Sequence, residues 1–247
     1  NLKRIRLALT KLGHPERKLS NVIQIIGSDG KFSVLRALRY FIEGNEQTVS
    51  THVSPSLTDI RERFWMGKKY LTHSKIKNTI RIIEKLKIPL TVYEVLTLVF
   101  IINASQRDND YCIMEAGALW RLDSNNVIDF PLKQIVVNIN KQHLNFLKIK
   151  TLNEVIKQKV GFLNQFTIIH VGKQKPYVMK NIKKLLKKNN SQIKYSNAWK
   201  LIKVKNNYFY KDSKTKIKLN TKYIYSRGLL ENLCLAINIA LDLKINK

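Results

Sequence analysis

Asn21-Val-Ile-Gln-Ile-Ile-Gly27-Ser-Asp-Gly30-Lys31-Phe-Ser33 sets a short apolar run directly before a glycine-bearing turn, and helical spacing begins at about Phe32 and runs to Glu43. Strand, turn and helix in that order open a β-α unit. In such a unit the N–H groups of the turn and of the helix N-terminus can cradle a phosphate, a lysine can neutralise it, and a hydroxyl such as that of Ser33 can reach Mg²⁺. The spacing departs from the common phosphate loop, because two residues separate the glycines and Phe32 stands between the lysine and the hydroxyl. Taken alone, the segment reads equally as a nucleotide site and as a plain β-to-α turn.

The same alternation continues outward. Leu2 to Leu12 is predicted helical, Gln47 to His52 is a second strand, and a loop runs through Ser54-Pro55 to Tyr70. Helices are expected at about 74–87 and 91–105. Tyr111 to Met114 is a third strand entering a loop at Glu115, and further strands at Gln134 to Asn138 and Phe166 to His170 flank a helix at about Leu152 to Val160. This order predicts an α/β fold with a mostly parallel sheet flanked by helices. From Gln192 to Leu219, short alternating apolar runs with the turn pairs Asn206-Asn207 and Lys211-Asp212 predict a small antiparallel meander. A last amphipathic helix is expected over about Leu229 to Leu243, and the lysine cluster at 183–188 reads as the solvated face of a helix.

A chain of 247 residues with 44% hydrophobic content can bury a substantial core, which excludes a disordered tail. Cys112 and Cys234 stand far apart without a Cys-x-x-Cys pattern, so no disulfide framework or zinc ribbon is expected and a reducing, cytoplasmic setting is. No apolar run reaches the ~20 residues of a spanning helix. The nearest, Leu90 to Ile102, is interrupted by Glu94, so no membrane partner is expected. The net charge of +28 ordinarily points to a polyanion. Most of it lies in residues 126–247, where 25 basic side chains face 5 acidic ones and only Arg227 is arginine. Abundant Lys, Asn and Ile is also what A/T-rich codons produce without any ligand, and lysine lacks the fork that reads bases. Codon bias is the leading reading, and a nucleic-acid or other polyanion face is the alternative.

Several blocks arrive in the order of one family. Gly27, Gly30, Lys31 and Ser33 match a G-T-N-G-K-G-S loop, and Thr51-His-Val-Ser54-Pro55-Ser-Leu57 followed by Arg61-Glu62-Arg63-Phe64 resembles T-S-P-H-L followed by E-R-I. Tyr93-Glu94 resembles an aromatic-Glu pair entering a helix. Glu115-Ala-Gly117-Ala-Leu-Trp-Arg121-Leu122-Asp123-Ser-Asn-Asn126 resembles E-V-G-L-G-G-R-L-D-A-T-N. His143-Leu-Asn145-Phe146-Leu147-Lys148 resembles H-x-D-F-L-G, Lys157-Gln158-Lys159-Val160-Gly161 resembles R-E-K-A-G, and Glu231-Asn232 resembles a late E-N-A. In these blocks the chain resembles the folylpolyglutamate synthase/dihydrofolate synthase family of Mur-type ligases, over nearly its whole length.

The resemblance implies a phosphate-loop ATPase domain of the Mur ligase central type and an ATP-dependent amide ligase. In that chemistry a folate or dihydropteroate carboxylate becomes an acyl phosphate, and the amine of L-glutamate displaces the phosphate. It implies that Ser28, Asp29, Gly30 and Lys31 hold the triphosphate, with Ser33 near the metal and Asn232 on the nucleotide. Ser54, Glu115 and His143 would be Mg²⁺ ligands, and Lys159 would match the lysine that the family carbamylates. Thr91, Val92, Tyr93 and Glu94, with Leu122, Asp123 and Ser124, would meet the pterin-bearing substrate. Each has a plainer reading: His143 as a loop histidine, Glu94 as a helix-end carboxylate in water, Asn232 as surface, and Lys159 as one lysine among 34.

Four departures bear on this reading. Phe32 replaces a loop glycine, Leu119-Trp120 a glycine pair, Ser56 a histidine and Lys148 a glycine. The family's C-terminal amino-acid-binding domain is expected to be missing from this chain, making residues 1–247 one ATP-binding domain, a fragment or a shortened homologue. Only 26 residues precede Gly27, too few for the nucleotide-sugar domain of the peptidoglycan branch, which favours the folate branch. A monomer is expected. The alternative function is a catalytically decayed homologue that binds nucleic acid or other polyanions through its basic surface.

Overall fold

Val22–Ile26 forms strand β1 inside a seven-stranded sheet, and all five of its residues are buried. A strand covered on both faces reads as a continuous apolar run rather than an alternating one. The computed structural model describes residues 2–142, 144 and 149–245. Their elements are α1 (Lys3–Lys11), β1, α2 (Lys31–Gly44), β2 (Val49–His52), β3 (Phe64–Met66), α3 (His73–Glu84), α4 (Val92–Ala104), β4 (Tyr111–Glu115), β5 (Lys133–Val136), α5 (Leu152–Val160), β6 (Ile168–Val171), α6 (Pro176–Leu186), β7 (Gln192–Tyr195), β8 (Lys200–Val204), β9 (Asn207–Lys211), β10 (Lys216–Leu219) and α7 (Arg227–Asp242). The large sheet runs β3-β2-β4-β1-β5-β6-β7 and is parallel except where β3 pairs with β2. Strands β8, β9 and β10 form a separate antiparallel sheet. This is the α/β architecture expected from the sequence.

Alternation along the central strands divides the core. Ile23 and Ile25, with Ile113 and Ile135, pack with α2, α7 and the small sheet. Val22, Cys112 and Met114 face the other way, onto α1, α3 and α4. Ile26, Val136, Ile169 and Val171 pack with α5 and α6. Helix α4 is buried without interruption from Leu96 to Ala104, which is why its sequence lacks a polar face. Thr91 and Glu94 close a reciprocal capping box at its start, and Thr151 and Glu154 do the same for α5.

Two segments differ from the sequence expectation, while the lysine cluster at 183–188 is solvent-exposed at a helix end as expected. Gln192–Tyr195 does not begin the meander; it is β7, parallel to β6 at the edge of the large sheet. Its half-exposed residues lack the apolar run that marks the inner strands. The loop to Tyr70 contains β3, three residues paired with β2. The lysines at 183–188 fall at the end of α6, whose Pro176 stands at the first helical position, where its missing N–H costs nothing.

Strand order decides where a ligand fits. The chain leaves β1 for β2 on one side, with β4 inserted between them, and crosses β1 to reach β5. Such a reversal opens a crevice at the carboxyl ends of the strands, the usual ligand position in open α/β sheets.

Candidate functional site

The loop after β1 is fixed by contacts that only glycine permits. Gly27 has φ +150°, and a Cβ there would lie 2.3 Å from Val137 Cγ2; Gly30 has φ +89°, and a Cβ there would lie 2.2 Å from Asn232 Nδ2. Asn232, on α7, therefore packs directly against the loop. Ser28 N–H donates to Asn138 O at 2.8 Å, and Asn140 N–H donates to Ser28 Oγ at 3.0 Å. The Asp29 carboxylate accepts from Gln142 Nε2 at 2.7 Å and from Asn140 Nδ2. Lys31 opens α2, and its ammonium donates back to Ser28 O at 3.2 Å. Ser33 lies in the first turn of the same helix. Phe32 does not enter the core: it is 45% exposed and lines a cavity that Lys31, Ser54 and Glu115 also border.

Neighbouring strand ends bring the acids. Glu115 closes β4, 4% exposed, with Oε1 3.9 Å from Lys31 Nζ and Oε2 accepting from Ser54 N–H at 3.3 Å. Burial outweighs Lys31 and pushes its carboxyl up to about 7. Asp123 is likewise raised to about 6 by burial, while accepting from the N–H groups of Gly117 and Asn125 at 2.6 and 2.9 Å. Lys159, on α5, is 1% exposed and donates to Gly27 O and Ala118 O, each at 2.6 Å. Burial, with Lys31 nearby, pulls its ammonium down to about 7.

Two cavities meet here. One of about 450 Å³ and one of about 760 Å³ both include Lys31, Ser54 and Pro55 in their walls. The larger also takes in Thr91, Tyr93, Glu94, Leu122, Asp123 and Ser124, six of the seven residues expected at the substrate. Val92 lies outside, 77% exposed. Glu94 is not in water: it is buried, accepts from Thr91 N–H and Oγ1, and pairs with Arg4 at 3.1 Å. Leu119 lines the larger cavity, whereas Trp120 is turned into the core and donates to Phe162 O at 3.1 Å. Asn232 and Asp29 share a third cavity, of about 220 Å³, with Asn138 and Lys173.

The donor set suits a hard divalent ion. Glu115 is a buried carboxylate whose charge is poorly compensated, and Ser54 lies beside it; Mg²⁺ typically takes one or two protein oxygens and leaves the rest to phosphate and water. Among the described residues no three His, Cys, Asp or Glu side chains gather for an all-protein cage. His143 and most of its block lie outside the described residues.

Sequence reasoning did not single out Asn125. It is fully buried, and its Nδ2 donates to Glu115 O at 2.7 Å and Tyr93 Oη at 3.0 Å. Its Oδ1 faces His52 Nδ1 at 3.3 Å, and its backbone carbonyl accepts from Gln24 Nε2 at 2.8 Å. Matched against a threonine of the resembled block, it carried no signal of its own. Arg4 and Arg63, which bring positive charge to the larger cavity, were equally silent.

No protein-family model matches the chain. Over 173 residues it is 26% identical to the dihydrofolate synthase/folylpolyglutamate synthase of Bacillus subtilis (strain 168), which covers 66% of this chain and 40% of that protein. Its fold matches folylpolyglutamate synthase from Thermotoga maritima with a TM-score of 0.86 at 21% identity, over 100% of this chain and 59% of that one. It matches E. coli FolC in complex with DHPP and ADP with a TM-score of 0.84 at 21% identity, over 96% of this chain and 57% of that one. The chain thus spans between 40% and 59% of these relatives' lengths. In its ordered sequence blocks, in identity along two thirds of its length and in fold, the chain is similar to the dihydrofolate synthases and folylpolyglutamate synthases.

Proposed function

We propose that this chain is the ATP-binding part of an amide ligase that joins L-glutamate to a folate or dihydropteroate carboxylate through an acyl phosphate. The observation that carries the reading is that Lys31 and Ser54 line both cavities, with Glu115 in the wall of the smaller one, 3.9 Å from Lys31 Nζ. In this reading the loop of Ser28, Asp29, Gly30 and Lys31 holds the triphosphate, through the N–H groups of Gly30 and Lys31 and the Lys31 ammonium, while the Ser28 N–H stays on Asn138 O. Asn232 contacts the nucleotide from α7, and Ser33 stands near the metal. Ser54 and Glu115, with His143, hold Mg²⁺, which when bound offsets charge on the phosphates. Thr91, Tyr93, Glu94, Leu122, Asp123 and Ser124 line the space for the pterin-bearing substrate. With Arg4 paired to Glu94, Arg63 and Lys31 bring to that cavity the positive charge that orients a carboxylate toward the loop.

Lys159 fits the role of a carbamylated lysine. With its ammonium held near neutral pH, a large fraction is amine at pH 7, and an amine retains two N–H groups for Gly27 O and Ala118 O while its lone pair is free to take CO₂. The test is thermal unfolding with and without Mg-ATP. At one hundred times Kd, a ligand that binds only the folded state stabilises by about 2.7 kcal/mol. For a chain this size that is a rise of roughly 5–10 °C. The rise should vanish in Lys31→Ala; an unchanged rise in that variant, or none in the wild type, contradicts the reading.

A further inference from the structure

The small sheet has two unlike faces. Leu201, Tyr208, Tyr210, Ile217 and Leu219 belong to the core beneath it. Because side chains alternate, the opposite face carries Lys200, Ile202 and Val204 of β8, Asn207, Phe209 and Lys211 of β9, and Lys216 and Lys218 of β10. Register sets Lys200 opposite Lys211 and Lys211 opposite Lys216, so three ammonium groups form one row across the strands. Lys218 lies opposite Phe209, and Phe209 opposite Ile202.

Like charges directly opposed on a sheet are destabilising. No acid answers them here. Among the described residues none of Lys200, Lys211, Lys216 and Lys218 is seen in an ion pair, whereas Lys31, Lys133 and Lys194, all elsewhere, are. Asp212, beside Lys211 in sequence, has the parity of the buried face, and its carboxylate accepts from Tyr210 Oη at 2.6 Å and from the N–H groups of Lys214 and Thr215. The Lys216 ammonium instead stands 4.8 Å from the centroid of the Phe209 ring.

Four uncompensated cations held by a fixed pleat around Ile202 and one aromatic ring complement a chain of anions that carries flat apolar groups between its charges. We propose that this face binds single-stranded nucleic acid, with the lysines neutralising successive phosphates and Phe209 stacking on a base. Lysine point charges without an arginine fork give such binding no sequence preference. This function is separate from the ligase reading and uses none of its residues.

The experiment is fluorescence anisotropy of labelled oligothymidylate titrated with the full chain between 50 and 200 mM salt. Four phosphate contacts give a slope of log affinity against log salt of about −3, so affinity should fall roughly 50-fold across that range. Joint substitution of Lys200→Gln, Lys211→Gln, Lys216→Gln and Lys218→Gln should flatten the salt dependence. The same charge removed from exposed α6-side positions by Lys180→Gln, Lys184→Gln, Lys187→Gln and Lys188→Gln should leave it unchanged. Phe209→Ala should weaken binding without altering the slope, and Phe209→Leu, which keeps the apolar packing, should do the same. Equal losses from the two lysine sets would reduce the effect to net charge and overturn the proposal. So would absence of binding at 50 mM salt. Equally tight binding of polyglutamate, indifferent to Phe209, would assign the face to acidic polypeptides and also overturn it.

Discussion

Replacing Asp242 should destabilise the protein far more than a partly exposed carboxylate suggests. Its Oδ2 accepts from Lys133 Nζ at 2.6 Å and faces His170 Nε2 at 3.1 Å, while Lys194 pairs with Oδ1. The Lys133 side chain is only 2% exposed, so without its partner a buried ammonium is left unpaired. Breaking a buried pair in this way costs about 3–5 kcal/mol. Asp242→Asn, which keeps one carbonyl acceptor, belongs at the low end, and Asp242→Ala at the high end. For a chain of this size the melting temperature should fall by roughly 6–20 °C. Adding Lys133→Met removes the stranded cation and should recover most of the loss. Urea unfolding of the two single variants and the double variant measures this coupling directly. A loss below about 1 kcal/mol in Asp242→Ala, or no recovery in the double variant, would refute the reasoning. The His170 contact, with Lys133 and Lys194, also holds the Asp242 carboxyl far below the usual carboxylate range. Its stabilisation is therefore present above the unfolded value of about 3.9 and is lost as pH falls below it. Since α7 carries Asn232 at its other end, Asp242→Asn should also weaken protection by Mg-ATP.

Gly30→Ala forces a side chain into a left-handed backbone position and against Asn232, so it should cost roughly 1–3 kcal/mol and abolish Mg-ATP protection in thermal unfolding. Asn232→Ala relieves the overlap but not the dihedral, so the double variant should recover only part of the stability. Because burial depresses the Lys159 ammonium to about 7, the unfolded chain binds that proton more readily between about pH 7 and 10, and stability should rise with pH across this window. Lys159→Met should remove that rise, as seen by urea unfolding at pH 7 and 9. Asn125→Thr leaves Glu115 O and Tyr93 Oη without their shared amide donor and should cost about 1–3 kcal/mol in the same assay.

The strands that carry the site were legible because burial on both faces leaves a continuous apolar signature, as in Val22–Ile26 and Tyr111–Glu115. Edge strands escaped for the converse reason. Gln192–Tyr195 is half solvated, and Phe64–Met66 is too short to show a period. Glycines 27 and 30 were readable as a turn, but the partners that require them, Val137 and Asn232, come from distant segments that only the topology brings together. Lys159 shows the same limit. Nothing local separates it from the other lysines, and its near-neutral amine arises from burial and from the charge of Lys31, which only the fold brings near. Asn125 is the clearest omission, because a buried side-chain amide acquires its role from the three groups around it.

The most direct measurement is a crystal structure of the full chain grown with Mg²⁺ and an unhydrolysable ATP analogue. The account predicts terminal phosphates against the N–H groups of Gly30 and Lys31 and a metal about 2.1 Å from oxygens of both Ser54 and Glu115. Nucleotide bound elsewhere, with Lys31 still folded onto Ser28 and no metal beside Glu115, would contradict it.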